Sequence, residues 1–216
     1  MSARNPYRPG RFFVLEGIDG AGKSTQLQTL TDSLEAAGRR VVLTREPGGT
    51  EIGERIRDLL LHRDMRPATE ALLMFAARQE HVLQVIEPAL LQGRDVVCDR
   101  FTAATLAYQG GGKGIPLCRL EAIADWVHPG LHPDLTVLID VPPETAAQRM
   151  ARDNRERDRF EQEDVDFFAR VRATYLRLAA NTPAKWLIVD GTKPPETVST
   201  EIRNGLNRFL LSPEFQ

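Results

Sequence analysis

Near the amino terminus, Gly17-Ile18-Asp19-Gly20-Ala21-Gly22-Lys23-Ser24 matches the pattern GxxxxGK[ST] in full. These residue types suit one chemistry. Glycines let backbone N–H groups close around phosphate oxygens, and a helix starting at the lysine aims its positive dipole end at the same group. In this pattern the lysine reaches the β- and γ-phosphates, and the serine hydroxyl ligates Mg²⁺. The competing reading is a glycine-rich turn with a core-facing lysine. The setting favours the phosphate loop: it follows the apolar run Phe12-Phe13-Val14-Leu15 and precedes a helical pattern. The loop is therefore read as a nucleoside triphosphate site. Asp19 is unusual within it. At about 5 Å and an effective dielectric near 20, a carboxylate facing one phosphate charge costs roughly 3 kcal/mol. A ligand hydroxyl or a nearby arginine should offset that.

Other residues with chemical potential sit where apolar runs end. Asp99-Arg100 closes the run Asp95-Val96-Val97-Cys98; Asp99 suits Mg²⁺ or a turn cap, and Arg100 suits bidentate binding of a second phosphate. Arg45 ends a second run and leads into the turn Glu46-Pro47-Gly48-Gly49-Thr50. Phe75 and Arg78, three apart on a helical pattern, share a face and could clamp a nucleobase; equally, Leu72, Phe75 and Ala76 could be a core stripe with a snorkelling arginine. Tyr108-Gln109-Gly110-Gly111-Gly112-Lys113-Gly114 reads as a mobile or close-approach loop in which Gln109 offers both donor and acceptor. Five arginines (149, 152, 155, 157 and 159) with interleaved acids read either as a solvated helix end or as a lid carrying a catalytic arginine.

A regular frame must hold these groups at one edge. Strands are expected over 12–16, 41–44, 95–99, 135–140 and 186–190. Helices are expected over 23–37, 51–62, 69–92, 117–128, 143–152, 161–180 and 196–211. Short Val/Leu/Ile-rich strands alternating with helices predict an α/β fold with a parallel sheet covered on both faces, whose ligands lie at the carboxyl ends of the strands. The 216 residues suit one domain, 1–216, with a mobile lid around 149–160. With 28 Lys plus Arg against 30 Asp plus Glu, nothing suggests nucleic-acid binding. Cys98 and Cys118 supply no disulfide framework or metal spacing. No apolar run reaches membrane-spanning length and the first ten residues lack a signal-peptide pattern, so a cytoplasmic setting is expected. The chain has no NKxD guanine-reading motif, which argues against a GTP-binding switch. Arginines aimed at an acceptor phosphate argue against a nucleoside kinase.

Taken together, the phosphate loop, Arg45-Glu46-Pro47-Gly48-Gly49-Thr50, Phe75/Arg78, Asp99-Arg100, Ala107-Tyr108-Gln109-Gly110-Gly111-Gly112 and Asp158-Arg159-Phe160-Glu161-Gln162-Glu163 closely resemble the bacterial thymidylate kinases. The resemblance implies the three-layer P-loop NTPase fold with a five-stranded parallel sheet, transfer of the γ-phosphate of ATP to dTMP, Mg²⁺ and a homodimer. It places Gly17, Ile18, Asp19, Gly20, Ala21, Gly22, Lys23, Ser24 and Thr25 around the ATP phosphates, with Ser24 and Asp99 serving the metal. Arg149 and the turn Gly191-Thr192-Lys193-Pro194 would flank adenine. Arg45 and Arg100 would grip the dTMP phosphate, beside Glu46 and Pro47. Phe75 would stack on thymine, Arg78 and Gln109 would hydrogen-bond its edge, Tyr108 would crowd the 2′ position, and Asp19 would lie near the 3′-hydroxyl. The loop holds no arginine, so the catalytic arginine is expected in the lid, as Arg152 or Arg155. Ala104 stands where the family usually has serine, with Thr105 as the substitute hydroxyl.

Overall fold

In the computed structural model, which describes residues 10–152 and 158–212, five strands form one parallel sheet. They are β1 (Phe12–Glu16), β2 (Val41–Arg45), β3 (Asp95–Asp99), β4 (Leu135–Asp140) and β5 (Trp186–Asp190), in the order β2-β3-β1-β4-β5. The expected strands are all present, with β2 one residue longer than predicted. The helices are α1 (Lys23–Ala36), α2 (Glu51–His62), α3 (Pro67–His81), α4 (Glu87–Leu91), α5 (Thr102–Thr105), α6 (Leu117–Val127), α7 (Pro143–Arg152), α8 (Val165–Asn181) and α9 (Pro195–Leu211).

β1 lies at the centre and is buried throughout, because both of its faces are covered. Alternate side chains serve opposite cores. Phe13 and Leu15 pack with Leu30 and Leu34 of α1 and Ile202 and Leu206 of α9. Phe12 and Val14 pack with Val82, Ile86 and Leu90 on the other side. From β1 the chain passes to β2 on one side, and from β3 it crosses to β4 on the other. The crevice between β1 and β3 is thus the topological switch point, where open sheets of this kind bind ligands. Leu15 pairs with Asp99, and Arg45 pairs with Asp99 from the opposite side. The register therefore brings the phosphate loop, Asp99-Arg100 and Arg45 to one edge.

Three local departures from the predicted elements have physical causes. The helix expected over 69–92 starts at Pro67, which needs no N–H at a first helical position. It widens to a π turn at Val82–Ile86, just ahead of Pro88. That proline has no N–H to continue the ladder and its ring crowds the preceding turn. The segment 108–114, expected as a mobile or close-approach loop, is mostly helical: α5 runs into a π turn over Leu106–Gly112. Its glycines serve packing, since a Cβ on Gly111 would lie 2.1 Å from Thr174 Oγ1 and one on Gly112 2.3 Å from the Phe167 ring. Finally, α8 begins at Val165 and not at 161, because Asp164 Oδ1 caps it by accepting from the Phe167 N–H at 2.6 Å.

Candidate active site

The phosphate loop has the shape its residues predict. Gly17, Gly20 and Gly22 have φ of 147°, 79° and 94°, a region costly for other residues. A Cβ on Gly22 would meet no protein atom within 4 Å, because the space beside it is open cleft. α1 starts without a side-chain cap and without an acid in its first turn, so its first N–H groups face that cleft. Lys23 folds back over the loop, donating to Gly17 O (3.1 Å) and Ile18 O (3.2 Å). Burial, then the neighbouring Arg100 cation, draw its pKa below the ordinary lysine value. Ser24 and Thr25 are exposed on the first turn of α1.

Two clefts meet at this edge. The first is polar and is lined by loop residues with Lys23, Ser24, Arg45, Asp99, Arg100 and Arg149. The second is lined by Met74, Phe101, Ala104, Thr105 and Tyr108 beside Arg78 and Gln109. Asp19, Glu46, Arg57, Arg100 and Asp158 line both.

Arg100 is the hinge of the arrangement. Its Nη1 donates to Gly17 O (3.0 Å) and Tyr175 OH (3.3 Å), and its Nη2 donates to Asp19 Oδ1 (2.5 Å) and Tyr108 OH (3.1 Å). Asp19 also accepts from Tyr108 OH at 2.8 Å. Burial pushes the Asp19 pKa up, but Arg100, Lys23 and Tyr108 outweigh it and hold the carboxyl below the usual range. The charge expected to need an offset in the loop has found it in Arg100. Behind Arg100 lies Glu16, completely buried at the end of β1. It accepts from the N–H groups of Phe101 (3.0 Å) and Ala104 (3.2 Å) and from Tyr175 OH (2.7 Å). Burial raises its pKa to about 7 despite the opposing Arg100 charge.

The second cleft is built on buried carboxylates. Glu46, joined to Pro47 by a cis peptide, accepts from Arg78 Nε (2.6 Å) and His81 Nδ1 (2.9 Å). Burial alone would raise its pKa; Arg78 and His81 reverse that and lower it. Arg78 Nη2 donates to Thr105 Oγ1 (3.1 Å), while Arg78 Nη1 is buried without a partner among the described residues. Thr105 thus provides a hydroxyl beside Ala104 at the cleft wall.

Not every predicted site residue comes to the clefts. Phe75 is 2% exposed and packs into a core with Ala71, Leu106, Leu120 and Ala124, with the Arg78 guanidinium 5.0 Å from its ring centroid. Met74, its neighbour, is the apolar α3 side chain in the cleft wall. The core-stripe alternative holds for Phe75, and the stacking role assigned to it does not fit the geometry. Arg152 is exposed at the end of α7, outside the lining of either cleft. Arg155 lies outside the described residues. Arg149 does reach the phosphate cleft, donating to Ala21 O (3.3 Å) and Gly191 O (2.8 Å), so it ties the loop to the turn expected near adenine. Lys193 of that turn pairs with Glu201 at 2.6 Å. Arg45 is pinned by both oxygens of Glu54 at 3.0 Å. Sequence reading missed Arg57, which lies in both clefts and donates to Pro47 O at 2.9 Å. Its only signal was a cationic position on the helix after the Gly48-Gly49 turn.

Asp99 Oδ1 is buried and has no partner among the described residues. Set beside the Ser24 hydroxyl in the polar cleft, it fits Mg²⁺, which takes one or two carboxylates and completes its shell with phosphate and water oxygens.

A phosphate loop at the switch point of a parallel sheet, joined through Arg100 to a second cleft with its own mixed apolar and polar wall, defines a P-loop phosphotransferase with an acceptor site. The comparisons narrow this. The sequence model described as Thymidylate kinase matches residues 15–202. A thymidylate kinase of Cupriavidus metallidurans is 56% identical, over 93% of this chain and 98% of its own length. One from Methylobacillus flagellatus is 51% identical over the same shares. The crystal structure of thymidylate kinase from Ehrlichia chaffeensis superposes with a TM-score of 0.74 at 34% identity, covering 91% of this chain and 98% of that one. The chain belongs to the thymidylate kinase family.

Proposed function

We infer that this chain transfers the γ-phosphoryl group of ATP to dTMP at the junction of the two clefts, releasing dTDP and ADP. Phosphorylation of dTMP with ATP as donor is the reaction of the family to which it belongs. The observation that carries it is the double membership of Arg100 and Asp19 in the cleft beside the phosphate loop and in the one walled by Met74, Arg78 and Gln109.

The donor phosphates occupy the loop, held by backbone N–H groups and Lys23. Arg149 and the 191–194 turn border the donor's base. The acceptor phosphate points at Arg100, with Arg45 and Arg57 beside it. Tyr108, fixed by Asp19 and Arg100, stands at the sugar. Arg78 and Gln109 meet the base edge, and Met74 covers its face. Ser24 and Asp99 would hold Mg²⁺, which when bound neutralises charge developing on the phosphate oxygens. Phosphoryl transfer needs alignment and charge neutralisation more than covalent chemistry, and these residues supply both.

Leu72 and Leu83, 58% and 56% exposed on α3 and the turn that continues it, offer an apolar face for a second copy of the chain. Sedimentation at micromolar concentration checks that homodimer. No helix among the described residues is long and apolar enough to cross a membrane, and a cytoplasmic setting belongs to the proposal.

The deciding experiment measures ADP release with a panel of acceptors. A kcat/KM for dTMP well above those for dCMP, AMP and GMP is expected; equal use of dCMP would overturn the base-edge assignment.

A further inference from the structure

Glu70 lies outside both clefts and is fully buried on α3. Its Oε1 accepts from Gln109 Nε2 at 2.9 Å. Its Oε2 accepts from Lys113 Nζ at 3.0 Å and pairs with Arg159 Nη2 at 2.6 Å. The Phe160 ring flanks both cations, 5.3 Å from Lys113 Nζ and 4.7 Å from the Arg159 guanidinium carbon. A carboxylate needs neither Gln109 nor its position on α3 to pair with two cations. The contact to Gln109 does something further.

The two ends of a glutamine amide have nearly the same shape but opposite hydrogen-bonding character. An ionised carboxylate accepts only, so the amide must turn its NH₂ end toward Glu70. Gln109 is 1% exposed and lines the base cleft, where its carbonyl end is the one left to face a ligand. Beside it stands Arg78, 2% exposed, with Nη1 unpartnered. Both residues line the cleft, so its wall carries one guanidinium donor and one amide acceptor. A pyrimidine with a carbonyl at C4 and an N–H at N3 satisfies both. Cytosine, with an amino group at C4 and a bare N3, opposes both.

We propose that Glu70 is a specificity-determining positioning residue: by fixing which end of Gln109 faces the cleft, it sets the hydrogen-bond polarity that selects a 4-keto pyrimidine over a 4-amino one. This inference rests on the acceptor assignment above and extends it to a residue that touches no substrate. It has a counterintuitive consequence for Glu70→Gln. Lys113 and Arg159 bring donors only, so the single carbonyl of the new glutamine turns to them and its NH₂ faces Gln109. Gln109 must then turn its own carbonyl inward to receive that group, which presents its NH₂ to the ligand. A one-atom substitution remote from the substrate thereby reverses half of the readout.

The test compares kcat/KM for dTMP and dCMP in the full chain and in Glu70→Gln, with circular dichroism confirming the fold. The dTMP value is expected to fall about 10–100-fold, the scale of one mispaired base-edge contact, while the dCMP value does not fall. The ratio between them drops at least tenfold. A Glu70 that merely supports packing would lower both values together, and an unchanged ratio in folded Glu70→Gln overturns the inference. Burying two cations beside a neutral glutamine could prevent folding, so a second pair removes them. In Glu70→Gln/Lys113→Met/Arg159→Met the glutamine carbonyl is free to serve Gln109 again, and the wild-type ratio is expected to return. In Glu70→Leu/Lys113→Met/Arg159→Met no acceptor remains and the ratio is expected to stay low. Equal ratios in these two triple variants also overturn the inference. Failure of the wild-type chain to prefer dTMP would instead refute the acceptor assignment, and this extension with it.

Discussion

The two clefts are built by different means. The phosphate half is mostly backbone: glycines at positive φ, uncapped N–H groups at the start of α1 and one lysine bound to loop carbonyls. The base half is mostly side chain, and each reading group is held from behind by a buried acid. Glu46 holds Arg78, Glu70 holds Gln109, and Glu16 acts through Tyr175 on Arg100. The first design tolerates little variation in the loop itself but asks little of the rest of the molecule. The second concentrates its requirements in the buried acids that hold its reading groups, because an unpaired charge or amide in a dry wall costs several kcal/mol.

Substitutions should therefore separate the halves. The largest effect is expected for Lys23→Ala, which removes a charge aimed at the transferring group: kcat/KM should fall by about 10³-fold, with the melting temperature nearly unchanged. Steady-state kinetics alongside thermal melts check this, and a comparable loss of stability would mean that the lysine also holds the fold. Phe75→Ala comes next and should act on stability, costing about 3 kcal/mol or more by leaving a cavity among Ala71, Leu106 and Leu120. Denaturant titration measures it. Affinity for dTMP in the folded variant should change little, and a large loss there would restore the ring to the binding surface.

Glu16 predicts a pH effect with a definite sign. The unfolded chain releases this proton near the ordinary 4.5, whereas the folded chain keeps it to about 7. Between those values the native state binds more protons, so stability falls as pH rises. From pH 5.5 to 8 the loss should approach about 2 kcal/mol in the wild type and be absent in Glu16→Gln. Parallel curves for the two proteins would show that Glu16 titrates normally. The smallest effect is expected for Met74→Ala: a rise of about tenfold in KM for dTMP, the worth of one thioether over a base, at nearly constant kcat. An unchanged KM would leave the base face to other residues.

The same contrast explains what could be read from the chain. The phosphate loop is contiguous, and its spacing dictates its geometry, so its eight residues were legible at sight. The sheet was equally plain, since five Val/Leu/Ile-rich runs between helices leave little choice of fold. The supports of the base cleft were not legible. Glu46 and Arg78 are 32 positions apart, Glu70 and Gln109 are 39, and Glu16 and Tyr175 are 159; no local pattern joins them. Phe75 and Met74 are adjacent, and only packing of α3 against α6 decides which is core. The run Gly110-Gly111-Gly112 left two readings open for a related reason, and close approach is the one that holds. Glycine marks both mobility and close approach, and it was α8, far along the chain, that made this a tight seam.

Arg100 carries one more implication. Among the described residues it alone combines a side chain with a left-handed backbone, at φ 69°. Glycine would sit there more easily by roughly 1–2 kcal/mol. Retaining a guanidinium on such a kink means that its stem leaves the strand along a direction imposed by the main chain, with little freedom to swing. Fixed aim is favoured over easy accommodation, and transplanting this arginine onto a relaxed turn should yield a cation of equal charge and poorer marksmanship.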